Sequence, residues 1–267
     1  MSGTVEGATA PSGTTAGVPT TPGPLSHRQV LIVFSGLMAG LLLAALDQTI
    51  VATALPTIVG ELGGLDHYSW VVTAYLLSST VSTPLYGKIS DIYGRKAVFQ
   101  TAILIFLAGS LLAGLAQTMV QLILCRGLQG AGAGGLMAMS FAVVGDVVSP
   151  RERGRYTGYL GSVFAFASVV GPLVGGFIVD HVSWRWVFLI NLPVGATALV
   201  VTSRVLKLTV VRRSARIDVE GAFLLVVGVS CLLLALVWGG TEYPWGSGVI
   251  VGLGLAGVVL TLAFVAW

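Results

Sequence analysis

The sequence predicts an all-α integral membrane protein, and three observations carry that prediction. The chain of 267 residues is 55% hydrophobic and only 9% charged, where a soluble domain has about 25% charged residues. Its mean hydropathy is +0.92. Its apolar residues gather into eight long runs, each near the ~20 residues that a helix needs to cross a ~30 Å hydrocarbon core. A transmembrane barrel would instead show strands of about ten residues with alternating polarity.

Residues 1–26 are rich in Gly, Thr, Pro, Ser and Ala. They lack an apolar core and read as a disordered tail. The first apolar run starts near Val30 and is too long for the core of a cleavable signal peptide. The eight runs are expected at about 30–55, 69–87, 97–116, 119–145, 156–179, 186–206, 219–238 and 248–267.

The cations give the expected orientation. With a cytoplasmic N-terminus, twelve of the fourteen Lys and Arg residues fall inside. They are Arg28, then Lys88, Arg95 and Lys96, then Arg151, Arg153 and Arg155, then Arg204, Lys207, Arg212, Arg213 and Arg216. Only Arg185 falls outside, and Arg126 lies within the fourth run. Trp70, Trp184, Trp186, Trp238 and Trp245 then sit near the outer interface, where amphipathic rings settle. The net charge of +3 does not suggest nucleic-acid binding, because the cations are scattered through short loops. Cys125 and Cys231 both lie in apolar runs and suggest neither a disulfide framework nor a metal site. His27, His67 and His181 fall at or near run ends and read as solvated.

Several stretches break the apolar pattern. Gly87-Lys88-Ile89-Ser90-Asp91-Ile92-Tyr93-Gly94-Arg95-Lys96 reads as a tight cytoplasmic loop, with Gly87 and Gly94 free to take positive φ. Asp47 is the only acid well inside a run. A carboxylate there costs about 2.5–3.5 kcal/mol on insertion scales, so it should face a cavity or a partner. Entering at Leu31, Asp47 is about 24 Å deep at 1.5 Å per residue. Entering from the other side at Met119, Arg126 is about 10 Å deep. The two charges therefore sit at similar depth in the outer half. They read either as a structural salt bridge or as a carboxylate tuned by its neighbour for proton exchange. Gly130, Gly132 and Gly135 satisfy G-x-G-x-x-G. A dinucleotide site needs a preceding strand, so close helix packing is the expectation instead. Gly171-Pro172-Leu173-Val174-Gly175-Gly176 marks a kink and a close approach in the fifth run.

Five of these segments, in order, resemble the major facilitator superfamily of transporters over residues 27–267. The 87–96 stretch resembles the G-x-x-x-D-x-x-G-R-[KR] loop between helices 2 and 3. Leu46-Asp47-Gln48-Thr49-Ile50-Val51-Ala52-Thr53-Ala54-Leu55-Pro56 is similar to the L-D-x-T-I-V-x-x-A-L-P segment of drug:proton antiporters, with Ala52 where Asn is usual. The stretch from Arg126 through Gln129 to Gly134 resembles R-x-x-Q-G-x-G-x-[GA], and Gly171–Gly176 looks like the G-P-x-x-G-G motif of exporters. The stretch from Trp184 to Pro193 is similar to W-R-W-x-F-x-I-N-x-P of the fourteen-helix branch. The short connection between the sixth and seventh runs and the Asp218-x-x-Gly221 opening fit the same branch.

The resemblance implies an N-terminal six-helix bundle over 27–206. A short cytoplasmic loop and two linker helices follow over 207–267, with the C-terminal bundle absent and about six further helices expected in a longer parent. It implies proton-coupled efflux of hydrophobic or cationic small molecules across a bacterial cytoplasmic membrane. Asp47 would be the coupling carboxylate and Arg126 its partner, with Gln129 and Thr49 in the same coupling and substrate cavity. Gly87, Asp91, Gly94, Arg95 and Lys96 would gate the cytoplasmic side, and Gly171, Pro172, Gly175 and Gly176 would restrict leak. The proton gradient would serve in place of a cofactor, no metal is expected, and membrane lipid is the other partner; oligomeric state is left open. The alternatives are a small-metabolite transporter of the same superfamily and a non-transporting membrane sensor. A membrane enzyme is not expected, since no H-E-x-x-H, G-x-S-x-G or P-loop signature is present.

Overall fold

A computed structural model describes residues 27–205 and 218–267. The expected tail at 1–26 and the expected cytoplasmic loop at 207–216 lie outside the described residues. The described chain is helical: α1 His27–Leu62, α2 Tyr68–Tyr93, α3 Arg95–Gly114, α4 Met119–Val147, α5 Arg153–His181, α6 Trp186–Leu189, α7 Asn191–Val205, α8 Val219–Trp238 and α9 Gly248–Ala266. Seven helical segments are long and apolar enough to cross a membrane, with 186–204 counted as one. The sequence predicts eight runs. The difference is α2, which has 26 residues but is thick with Ser and Thr. Those hydroxyls bond back to the helix's own turns, as Thr73 does to Ser69 O at 2.8 Å and Ser78 to Ala74 O at 2.7 Å.

Where the helices stop follows from local chemistry. α1 runs past Pro56 to Leu62, seven residues beyond the expected end. A proline removes one hydrogen bond, and membrane helices tolerate that. The stop comes at Gly63 and Gly64, whose φ values of 69° and 81° are left-handed. The 87–96 stretch is a loop over only part of its length, not the ten-residue tight loop that its two glycines suggest. α2 continues through Gly87 to Tyr93, so Gly87 is helical, and only Gly94 turns, at φ 91°. Its N–H closes α2 on Ser90 O at 2.9 Å, while its carbonyl accepts from Val98 N at 3.3 Å to open α3. The sixth run is also not one helix. It breaks at Ile190, between α6 and α7. Pro193 has no N–H, so the Leu189 carbonyl loses its i+4 partner there.

Small residues set the packing. Gly130 and Gly134 lie one turn apart on α4 and meet the α2 backbone. A Cβ on Gly134 would stand 2.2 Å from Ser79 O. On another side of α4, Gly132 abuts the backbone of Phe106 and Ala102 in α3. α1 packs on α5 in the same way, with Gly171 against Thr49 and Gly175 against Ile50 and Thr53. α8 and α9 form a hairpin, capped by Asp218 onto Gly221 N at 2.9 Å and by Ser247 onto Ile250 N at 3.3 Å. The hairpin docks on α2 where Trp70 and Trp238 meet edge to face, 5.3 Å between ring centroids.

The apolar core of the bundle comes in separate clusters. One gathers Leu37, Leu43, Phe99, Phe106, Leu136 and Met139. Another gathers Ile50, Leu55, Ile58, Leu122, Trp184 and Phe188. Along α1 and α4 the residues between these two clusters include Asp47, Arg126 and Gln129.

Candidate functional site

Four helical segments converge on Asp47. Its carboxylate is fully buried and accepts three hydrogen bonds. Arg126 Nη1 of α4 donates to Oδ2 at 2.6 Å. Gln129 Nε2, one turn further along α4, donates to Oδ1 at 2.7 Å. Asn191 Nδ2, at the start of α7, also donates to Oδ1 at 2.7 Å. Arg126 Nη1 reaches Gln129 Oε1 as well, at 2.7 Å, so the three side chains close a ring of charge-assisted bonds. The Arg126 guanidinium lies 4.1 Å over the Tyr75 ring of α2, which holds it in place as a cation–π contact. The Tyr75 hydroxyl donates to Ala44 O on α1 at 3.3 Å. Among the described residues, Arg126 Nε is the one buried side-chain N or O atom without a hydrogen-bond partner.

The donor set suits a charged carboxylate. An ionised Asp offers acceptors only, and here each neighbour brings a donor. Removing one charge of such a pair would leave the other buried and unpaired, at a cost of about 3–5 kcal/mol.

The structure thus brings together Asp47, Arg126 and Gln129. It places Thr49 elsewhere: its hydroxyl donates to Ala167 O of α5 at 3.1 Å, and its bulk fills the notch at Gly171. Asn191 and Ser110 join the site without having been singled out as site residues. Asn191 lies in the segment similar to W-R-W-x-F-x-I-N-x-P, where a lone amide in an apolar run is the available signal. Ser110 gave none, since serine bonds back to its own helix in many membrane segments.

The residues expected to gate lie at one end of the bundle. Arg95 pairs with Asp91 at 2.8 Å and with Asp146, at the end of α4, at 2.9 Å. It also reaches the Ser90 hydroxyl and Gly87 O. Lys96 Nζ donates to Ser203 O of α7 at 2.6 Å. This cluster ties α2, α3, α4 and α7, with Asp146 as the unforeseen member. In α5, Gly171 and Gly175 contact α1, Pro172 sits exposed inside the helix, and Gly176 meets nothing. At the opposite end, Trp184 Nε1 donates to Glu61 at 2.7 Å and the ring is buried. The corner between α5 and α6 folds the ring under the end of α1, so protein covers it at that end of the bundle.

Comparison with known proteins identifies the family. The family model for the Major Facilitator Superfamily matches residues 37–267. The chain is 45% identical over 232 residues to "Multidrug resistance protein 3" of Bacillus subtilis strain 168, covering 87% of this chain and 45% of the relative. It is 44% identical over 243 residues to "Multidrug transporter protein MdtP" of the same organism, covering 91% and 44%. The chain therefore spans less than half the length of either relative. Among solved structures, the human organic anion transporter MFSD10 (TETRAN) superposes with a TM-score of 0.63 at 19% identity, covering 83% of this chain and 59% of that one. That likeness is one of fold. With the family model covering most of the sequence and the helices arranged as in a solved transporter, the chain belongs to the major facilitator superfamily.

Proposed function

We propose that this chain is the N-terminal part of a proton-coupled exporter of hydrophobic or cationic small molecules. Asp47 is its coupling carboxylate. The observation that carries the reading is the buried carboxylate with three donors inside a membrane bundle. A charge so placed is expensive, which is why intramembrane carboxylates mark proton relays. Protonating Asp47 removes the counterion of Arg126 and turns one acceptor oxygen into a donor, so the ring at Gln129 must rearrange. That gives the bundle two electrostatic states and a proton to switch between them. The names of the two Bacillus relatives support drugs rather than nutrients as cargo. The cation bias supports a cytoplasmic N-terminus in a bacterial cytoplasmic membrane.

The test is dye efflux by the full-length gene product in membrane vesicles, with and without an uncoupler. Asp47→Asn is expected to abolish uncoupler-sensitive efflux, normalised to the protein present in the membrane, and Asp47→Glu to retain part of it. Wild-type efflux by Asp47→Asn overturns the coupling role. For orientation, a cysteine in place of Arg153 should resist an impermeant thiol label in intact cells.

A further inference from the structure

Asn191 does more than fill space beside Asp47. Both hydrogens of its amide are committed: one to Asp47 Oδ1 at 2.7 Å, the other to Ser110 Oγ at 2.9 Å. Ser110 in turn donates to Phe188 O at 2.8 Å. Phe188 is the third residue of α6, two positions before the break at Ile190. All of these side chains are buried, at 2% exposure for Asn191 and 0% for Ser110 and Phe188. An unbroken chain of three hydrogen bonds therefore runs from the carboxylate to the backbone at the broken sixth span. Ser110 thus holds the backbone one residue before Leu189, whose carbonyl Pro193 leaves without its i+4 donor.

We propose that Asn191 is a positioning residue that ties the charge state of Asp47 to the α6–α7 break through Ser110. The proposal rests on the reading of Asp47 as the coupling group. The ionised carboxylate accepts the amide and draws Asn191 toward α1, and the amide's other hydrogen keeps Ser110 on the Phe188 carbonyl. Protonation weakens the first bond and frees the amide, so the break can move relative to α1. The other charged or titratable groups facing this site are Arg126 from α4 and the Tyr75 phenol from α2. The neighbouring turns of α3, α5, α6 and α7 bring none.

The experiment uses the full-length gene product and two readouts. The first is the pH dependence of dye efflux in vesicles. The second is the carboxylic-acid infrared band of the purified protein across pH, assigned by its loss in Asp47→Asn. Asn191→Leu keeps the branching of the side chain and removes the donor to the ionised form. It should displace both pH profiles from the wild-type ones together. Ser110→Ala should displace both in the same sense, and by less. Unchanged midpoints in both variants, with only lower thermal stability, overturn the proposal. If Asn191→Leu does not accumulate, Asn191→Ser and Ser110→Ala carry the same test. If Asp47→Asn still pumps while the infrared midpoint shifts in Asn191→Leu, the coupling reading fails and the positioning role of Asn191 stands.

Discussion

Arg126 and Arg95 both hold carboxylates, and they do so in opposite settings. Arg126 and Asp47 are exposed by 2% and 0%. Arg95 is exposed by 21%, and its partners Asp91 and Asp146 by 35% and 51%. The chemistry is the same and the energetics are not. Near solvent, an ion pair is screened and contributes roughly 0–1 kcal/mol, so it can form and break as helices move. Inside the bundle, each charge needs the other, and loss of either is severe. The exposed cluster suits a latch that opens often. The buried one suits a switch with two discrete settings.

The largest expected effect tests the buried pair. Arg126→Leu should cost about 3–5 kcal/mol, read as thermal unfolding in detergent. Asp47→Asn combined with Arg126→Leu should recover most of that loss and still fail to pump. A double variant no more stable than the single one would break the contrast with the Arg95 cluster. Next comes packing, which asks whether the rigidity beside the buried site is electrostatic at all. Gly134→Ala should cost about 1–3 kcal/mol, because the new methyl meets the α2 backbone. Gly127→Ala on the same helix points into open space and should be neutral or stabilising by up to about 1 kcal/mol.

Smaller effects belong to the exposed end. Gly94→Ala should cost about 1–2 kcal/mol, since its φ of 91° is strained for any other residue. Gly87→Ala should match wild type or stabilise by less than about 1 kcal/mol, because Gly87 is helical and open. Equal losses at the two glycines would restore the loop reading of 87–96. The smallest change is Asp146→Asn, at no more than about 1 kcal/mol, and it should fade as salt is raised. A salt-independent loss above 3 kcal/mol there would erase the difference between the two clusters.

What could be read in advance divides along physical lines. Asp47 and Arg126 stood out because charge inside an apolar run is costly, and matching depths on α1 and α4 anticipated their contact. Gln129 came with Arg126 through its motif. Asn191 and Ser110 were hidden because uncharged polar residues are cheap enough in membrane helices to be common. Their role appears only when α3, α6 and α7 are brought against α1. The resemblance groups Thr49 with Asp47, yet two residues is about 200° around a helix, and the Thr49 hydroxyl bonds to α5. Gly87 misled for a related reason. Glycine permits a turn without requiring one, and here the helix continues.

The glycine-lined α4 with its single arginine has a consequence for how the protein is made. Of the seven candidate spans α4 is the least apolar. Arg126 alone raises its insertion cost by about 2.5–3.5 kcal/mol. A ribosome delivers α1 long before α4, so the counterion of Arg126 is already in the bilayer when the arginine arrives. Gln129 and the Tyr75 ring face of α2 complete the reception. The buried pair thus lets a charge on the first helix offset the insertion cost of the fourth. Deleting Asp47 therefore threatens the yield of correctly threaded chains before it threatens anything that the finished protein does.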